Sequence, residues 1–425
     1  MKRNHLVLGL IFLTFFVISF LTNIIGPLVP DIIRSFSLDL TTVALLPFAF
    51  FIAYGVMSIP SGILVEKYGE KKMMVLAFFI SFLGGLLFVL SPGYFTYMLS
   101  LFFIGAGMAM LQVAINPLLR VAGGEKHFAF NSVLGQFFFG LASFLSPLVY
   151  SYLVLNIGKP SGGGNGIIRL FESIVPAELP WISLYWIFAI ISLLMVLVIY
   201  FIKIPKVELK SDEKVGGRET NLELIKNRTV LLYFFAIFCY VGLEQGVANW
   251  MSEFLFTYHG IDPKVGGASA VSWFWGLLTV GTLLGLVLLK FIDSRKVLLA
   301  FTACAMVCLV AALFGSATVS LWAFPMIGFF ASVMWSILIS LALNSMEKHH
   351  GAVSGILVSG ICGGAIIPLV VGWIGDTLDL KSGMLFIFLM LAYILSVSIW
   401  ARPLVKNEVI SLKRRRKSTI EVADV

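Results

Sequence analysis

The stretch LVLGLIFLTFFVISFLTNIIGPLV, residues 6–29, has no charged residue and is long enough to cross a bilayer as one helix. Eleven further apolar stretches follow it along the chain. The chain is 59% hydrophobic and 12% charged, which is too apolar for a water-soluble protein of 425 residues. Because backbone groups in lipid must pair within their own segment, the sequence predicts an all-α membrane protein. The twelve predicted transmembrane helices are residues 6–29, 42–65, 73–91, 94–119, 128–154, 182–203, 229–254, 268–290, 297–316, 319–344, 351–375 and 382–401.

Positive charge is distributed unevenly between alternate loops. With the N-terminus in the cytoplasm, 25 of the 30 Lys and Arg residues lie in cytoplasmic loops and tails. This asymmetry follows the positive-inside rule, so the net charge of +8 requires no nucleic-acid partner. We therefore expect a multi-pass protein of the plasma membrane, here a bacterial inner membrane. Both termini should be cytoplasmic, and the protein should be a monomer surrounded by membrane lipids.

A polar segment near the middle of the chain suggests two halves, and sequence repeats support the division. Glu125-Lys126-His127 returns as Glu347-Lys348-His349, and two further motifs recur at nearly the same spacing of 222 residues. Two six-helix pseudo-repeat bundles should therefore enclose a central site. The predicted units are an N-terminal bundle (1–203), a cytoplasmic linker (204–228), a C-terminal bundle (229–401) and a basic cytoplasmic tail (402–425).

The loop after the second predicted helix carries a spaced motif of glycines and charged residues. It reads Gly62-x-x-x-Glu66-x-x-Gly69-x-Lys71-Lys72. Together with twelve helices in two halves, this motif resembles the major facilitator superfamily of secondary transporters. The resemblance implies the major facilitator fold. It also implies that these five residues form a cytoplasmic gate, which holds the two halves together through contacts between carboxylates and cations.

Segments in the fourth, seventh, tenth and eleventh helices are similar to the fucose/galactose/hexose symporter branch of that family. The clearest are Gly105 through Pro117 and Tyr240-Val241-Gly242-Leu243-Glu244. This resemblance implies a monosaccharide substrate of the hexose or deoxyhexose class. The acidic residues of the fucose transporters in the first and fourth helices fall here on Gly26 and Gln112, which cannot carry a proton. The coupling ion therefore stays open between H⁺, Na⁺ and none.

Glu244 is the predicted cation-coupling residue. It lies well inside the seventh helix and has no basic residue at i±3 or i±4. An ionised side chain in hydrocarbon costs at least ~2.5–3.5 kcal/mol, so it needs a partner or a function. The alternative is a structural carboxylate that is protonated or bonded to a backbone group.

Amide and indole side chains within the helices predict a sugar site. Amides offer both donors and acceptors to hydroxyl groups, and an indole packs against the C–H face of a sugar ring. Asn23 lies on a polar face of the first helix with Ser19, Thr22 and Gly26, which could instead bond to a neighbouring helix. The predicted substrate-binding residues are Asn23, Gln112, Gln136, Gln245, Asn249, Trp250, Trp275 and Trp335.

Motifs for catalysis are missing from the sequence. It contains no G-x-x-x-x-G-K-[ST] loop and no H-E-x-x-H motif, and its four cysteines fall inside predicted helices. We expect a protein that is not an enzyme and has no cofactor apart from a coupling ion, Na⁺ or H⁺. The predicted function is secondary active transport of a monosaccharide by alternating access. One alternative function stays open. That alternative is an exporter of lipophilic or drug-like small molecules on the same fold.

Overall fold

The computed structural model describes residues 4–123, 128–157, 166–204, 223–346 and 350–404. Within these ranges, twelve helical segments are long and apolar enough to cross a membrane, which confirms the predicted number. We number them spans 1 to 12. The uninterrupted spans contain the helices Leu40–Tyr68 (span 2), Glu70–Leu90 (3), Tyr94–Gly123 (4), Phe128–Asn156 (5), Ser183–Phe201 (6), Arg228–His259 (7), Ala268–Leu288 (8) and Ser294–Phe314 (9). The interrupted spans are His5–Thr22 with Ile25–Phe36 (span 1), Ala317–Ala331 with Met334–Leu343 (10), His350–Ser359 with Gly363–Thr377 (11), and Leu380–Leu385 with Ile387–Trp400 (12).

Span 1 is interrupted at Asn23, inside the apolar segment His5–Phe36. Asn23 ends the first helix, and Ile24 precedes the second. The cause is Pro27, which has no N–H to donate to the carbonyl of Asn23 and is tolerated in the first turn of the following helix. The polar side chain of Asn23 therefore lies at a break between two helices and not on the surface of a continuous helix.

Span 1 is longer than the sequence predicted. It continues past residue 29 to Phe36 and includes the charged residues Asp31 and Arg34. Both charged groups have partners: the hydroxyl of Tyr150 donates to Asp31 at 2.7 Å, and the Arg34 guanidinium lies 4.4 Å from the centre of the Phe256 ring. Partners of this kind lower the cost of charge within an otherwise apolar span.

The spans form two bundles, which confirms the predicted fold class. Spans 1–6 pack mainly against one another, and so do spans 7–12. Because each half has an even number of spans, the chain enters span 1 and leaves span 12 on the same face of the molecule. We call this the terminal face and the other one the opposite face.

The surface that faces away from the bundle axis is apolar. On span 6, for example, Leu193, Leu194, Leu197 and Val198 are exposed. A surface of this kind is stable only against hydrocarbon, because large exposed apolar areas are unfavourable in water.

The two bundles contact each other mainly through three pairs of spans, 1 with 7, 2 with 11, and 5 with 8. Glycines allow close approach toward the opposite face. A Cβ atom at Gly26 would lie 2.2 Å from the carbonyl oxygen of Ala248, and one at Gly372 would lie 2.7 Å from that of Leu40. The arginine–phenylalanine contact of Arg34 and Phe256 lies on the same side. The bundles are therefore sealed together at the opposite face.

Parts of the predicted organisation lie outside the described residues. They include most of the linker (205–222), the tail beyond residue 404, and the repeated motifs at 125–127 and 347–349. The boundaries predicted for those segments stay predictions.

Candidate functional site

A cavity of about 360 Å³ lies between the two bundles. Both halves contribute to its wall, and most of the polar groups come from spans 1, 4, 5, 7 and 10. The first half contributes Thr22, Asn23, Phe51, Tyr54, Gln112, Ser132, Gln136, Phe139 and Gly140. The second half contributes Tyr240, Val241, Glu244, Gln245, Trp275, Leu278, Thr279, Thr282, Leu286, Ser332, Trp335, Ser336 and Ile361.

The cavity extends toward the terminal face. Ser132, near the start of the span 5 helix at Phe128, and Leu286, near the end of the span 8 helix at Leu288, both line it. Both positions are within about two turns of the terminal face. The contacts at Gly26, Gly372 and Arg34 lie on the other side of the cavity and close it toward the opposite face.

Asn23 is held in place by two serines of its own half. Its amide nitrogen donates to the hydroxyl of Ser143 at 2.8 Å and lies 3.4 Å from that of Ser19. The two hydroxyls are themselves 2.5 Å apart. With the amide nitrogen occupied, the carbonyl oxygen of Asn23 remains as an acceptor for a solute.

Gln112 is oriented from span 2. The hydroxyl of Tyr54 donates to the amide oxygen of Gln112 at 2.9 Å. Tyr54 is itself 4% exposed, so the surrounding helices fix its ring. Because this contact uses the oxygen of the amide, the amide nitrogen of Gln112 is left as a donor toward the cavity.

Among the described residues that line the cavity, Glu244 is the only acidic or basic one. The hydroxyl of Tyr240, one turn earlier on span 7, donates to its Oε1 atom at 3.1 Å. No basic side chain in the described ranges forms an ion pair with Glu244. The Tyr240 ring packs against Trp335 of span 10, with the two ring centres 5.9 Å apart. A single acidic group therefore sits beside two aromatic rings.

Three more predicted residues line the same cavity. The side chain of Gln245 is 5% exposed and has no hydrogen-bond partner among the residues that the structure describes. Gln136 is exposed on the wall nearer the terminal face. Trp275 is 2% exposed, and its indole nitrogen has no partner in the described part of the chain.

The open groups of the cavity fit a small neutral molecule that has several hydroxyls. Asn23 and Glu244 present acceptors, Gln112 presents a donor, and Gln245 presents both. Trp335 adds an apolar surface. In the part of the chain that the structure describes, no group of three or more His, Cys, Asp or Glu side chains could hold a metal ion.

Comparison with known families shows what this fold is. Residues 11–368 match the family described as Major Facilitator Superfamily, which covers most of the chain. The chain belongs to that superfamily.

Two relatives and one solved structure of the superfamily cover nearly all of this chain. The "Glucose/galactose transporter" of Brucella abortus biovar 1 (strain 9-941) is 29% identical over 391 residues, 90% of each chain. The "Putative glucose/galactose transporter" of Helicobacter pylori (strain ATCC 700392 / 26695) is 30% identical over 379 residues, 88% of this chain and 90% of the relative. A variant of the E. coli fucose:proton symporter FucP superposes with a TM-score of 0.67 over 93% of this chain and 98% of its own, at 24% identity.

In the present structure, two predicted binding residues, Asn249 and Trp250, are not among the residues that line the cavity. Asn249 is 4% exposed, next to the crossing of spans 1 and 7, where Gly26 packs close to its Cα atom. Trp250 is 1% exposed, and its indole nitrogen donates to the carbonyl of Pro368 at 3.0 Å. Both positions are at least one helical turn beyond Glu244, on the sealed side of the cavity. The buried amide nitrogen of Asn249 has no hydrogen-bond partner in the described part of the chain.

The predicted gate motif lies at the terminal face. Gly69 has φ +84 and forms the turn between the helices of spans 2 and 3, a conformation that glycine adopts without strain. The Lys71 ammonium donates to the backbone carbonyl of Tyr200, which belongs to span 6 of the same half, and Lys72 is exposed. The side chain of Glu66 lies outside the described part of the structure, so the contact predicted between the halves at this loop stays a prediction.

Sequence reasoning missed the hydroxyl groups that orient the site, namely those of Tyr54, Ser143 and Tyr240. Tyr240 could have been found, because it precedes Glu244 by four residues on one helix and so shares its face. Tyr54 and Ser143 act across helices on residues that are distant in sequence, and no local pattern marks them.

Proposed function

We propose that this protein is a secondary transporter that moves a monosaccharide across the plasma membrane by alternating access. The observation that carries the proposal is the cavity itself. It lies between two pseudo-repeat bundles, is sealed at one face, and brings Asn23, Gln112, Gln245 and Glu244 together around a hollow of about 360 Å³. Rocking of one bundle against the other would expose that hollow to each side of the membrane in turn.

The proposed substrate is a hexose or deoxyhexose. Each hydroxyl of such a sugar is both donor and acceptor, and the cavity offers donors and acceptors from both halves. Trp335 supplies an apolar surface for the C–H face of the ring. The names of the Brucella and Helicobacter relatives support the same substrate class.

Glu244 is the proposed coupling group. A coupled carrier needs a site whose occupation by a cation changes the balance between its two conformations. A single carboxylate in a low-dielectric cavity, with no basic partner in the described ranges, has that property. The ion is H⁺ or Na⁺, because binding of either cation would neutralise the carboxylate of Glu244.

The remaining proposals concern the orientation of the protein in the membrane, its location, its oligomeric state and the absence of catalysis. We propose that both termini are cytoplasmic, because most Lys and Arg residues lie in loops of the terminal face. The cavity described here would then be open to the cytoplasm. The bacterial inner membrane is the proposed location. We propose that the protein works as a monomer and catalyses no chemical reaction.

Export of lipophilic or drug-like compounds is the second candidate on the same fold. It is supported by the phenylalanine-rich interior, with 38 Phe residues in the chain. It is not favoured, because the cavity wall contains several oriented amides and a carboxylate that a lipophilic solute would leave without partners.

A thermal-shift measurement on the purified protein tests the substrate class. A ligand that binds only the folded state raises its stability by about 2.7 kcal/mol at 100 times its Kd. We expect glucose, galactose or fucose to raise the unfolding temperature, and the Gln112→Ala variant to lose that shift. A rise with lipophilic cations, and none with any monosaccharide, would favour the exporter instead.

A further inference from the structure

Asp376 of the second half is hydrogen-bonded to the first turn of span 2 in the first half. Its Oδ1 atom accepts from the backbone N–H of Leu40 at 2.9 Å, and its Oδ2 atom accepts from that of Thr41 at 2.6 Å. The Thr41 hydroxyl also donates to Oδ2. These three bonds join positions that are more than 300 residues apart in sequence, at the opposite face.

The start of span 2 is a favourable place for a carboxylate. The first N–H groups of a helix have no partner within the helix, and the helix dipole is positive at this end. Asp39, the residue before the helix, accepts from the N–H of Thr42 at 2.7 Å. Asp376 completes the first turn by accepting from the two N–H groups that Asp39 does not reach.

The position of Asp376 in its own helix is unfavourable. It is the last residue but one of the helix Gly363–Thr377, where the dipole is negative and repels an anion. The interaction with the other half compensates for this repulsion. It does so only while the opposite face is closed, because Leu40 and Asp376 belong to different bundles and must separate when that face opens.

We propose that Asp376, Leu40 and Thr41 form a latch that holds the opposite face closed, and that transport requires its release. The proposal rests on the alternating-access cycle proposed above. Neighbouring contacts agree with it: Gly372, one turn before Asp376, has room for no side chain against the Leu40 carbonyl. The latch therefore lies beside a close contact between spans 2 and 11.

A reporter for opening is available one turn from the cavity, on the sealed side. Ser272 of span 8 is 1% exposed, and its hydroxyl donates to the carbonyl of Phe144 in the other half. A Ser272→Cys variant, with the four native cysteines replaced by alanine, should react slowly with a hydrophilic maleimide while the face is closed. Its rate of labelling measures how often the halves separate there.

The matched control is Asp379, a carboxylate on the same face and in the same half. It accepts from the N–H of Ser382 at 2.7 Å and from the hydroxyl of Tyr258, so its contacts stay within the second half. In full-length protein, we expect Asp376→Ala to raise the labelling rate of the reporter about fivefold, the effect of losing a typical capping carboxylate. Asp379→Ala should change it less than twofold.

Asp376→Asn covers the case in which Asp376→Ala does not fold. It keeps the shape of the side chain and removes the charge, so an intermediate increase is expected, because hydrogen bonds to a charged group are about twice as strong as neutral ones. Equal labelling of the Asp376 and Asp379 variants would overturn the latch. Sugar accumulation by the unmutated protein is measured in parallel: its absence would contradict the proposed function, whereas normal accumulation with unchanged labelling would contradict the latch alone.

Discussion

The hydroxyl of Tyr240 lies 3.1 Å from the Oε1 atom of Glu244 and donates a hydrogen bond to it. Both residues line the cavity on one face of span 7, and the Tyr240 ring also contacts Trp335 of span 10. The carboxylate therefore has one hydrogen-bond donor, on Oε1, and its Oε2 atom has no hydrogen-bond partner among the residues that the structure describes. Substitution of Tyr240 therefore tests the role of the Glu244 carboxylate without changing Glu244 itself.

Removal of the Tyr240 hydroxyl should affect the ion more than the sugar. Tyr240→Phe keeps the ring against Trp335 and deletes one hydrogen bond to the carboxylate, worth about 1–3 kcal/mol. We expect the cation concentration that gives half-maximal accumulation to change at least fivefold, with sugar exchange affinity within twofold of the unmutated protein. Ion titrations of uptake and of exchange in proteoliposomes measure both. Equal effects on both would show that Tyr240 only supports the cavity wall.

Substitution of Trp335 should affect sugar binding and substitution of Trp250 should affect stability, because only Trp335 lines the cavity. Trp335→Ala removes an aromatic surface worth ~0.5–1.5 kcal/mol, so we expect sugar binding to weaken about two- to tenfold. Trp250→Phe instead leaves the Pro368 carbonyl without its donor, which should lower the free energy of unfolding by about 1–3 kcal/mol and leave sugar affinity unchanged. Binding titrations and thermal unfolding of both variants separate the roles. A larger loss of affinity in Trp250→Phe would reverse our assignment.

Close packing at Gly26 should control closure of the opposite face. A Cβ at this position would lie 2.2 Å from the Ala248 carbonyl oxygen, so Gly26→Ala must push spans 1 and 7 apart, at a cost of about 1–3 kcal/mol to the closed state. We expect faster maleimide labelling of the Ser272→Cys reporter. Gly9→Ala is the control, because a Cβ at Gly9 of the same span meets nothing within 4 Å. Similar labelling in the two variants would argue against this contact as a determinant of closure.

The fold was predictable from local pattern, whereas the site was only partly so. Each span is apolar over its own length, so the number of spans follows from sequence alone. Asn23 was predicted to face the cavity from the polar face of span 1, and Gln245 as an amide inside span 7; both line it. Asn249 is one turn beyond Gln245 on nearly the same face of span 7, and it misses the cavity because span 1 crosses there. A crossing point depends on how two helices pack, which the periodicity of one helix does not contain.

The contribution of Asp39, at the N-terminus of span 2, to the free energy of unfolding should depend on pH. Hydrogen bonds from Thr42 hold the pKa of Asp39 below its ordinary value of 3.8. A carboxylate with a lowered folded-state pKa stabilises the fold above its unfolded value, and this contribution is lost as the pH falls through the folded value. We expect Asp39→Ala to lower the free energy of unfolding by about 1 kcal/mol at pH 6, with the difference shrinking below pH ~4. Thermal unfolding of both proteins from pH 6 to pH 3 measures it, and a difference that grows in acid would contradict the cap.

The central claim is that Glu244 couples sugar movement to a cation within the shared cavity. The most direct test compares uptake of labelled glucose, galactose or fucose by proteoliposomes that contain the unmutated protein or Glu244→Gln, with H⁺ and Na⁺ gradients imposed separately. We predict that the unmutated protein accumulates a sugar against its gradient with one of the two ions. Glu244→Gln should lose accumulation and keep sugar exchange between the two sides. Unchanged accumulation in Glu244→Gln would contradict the account.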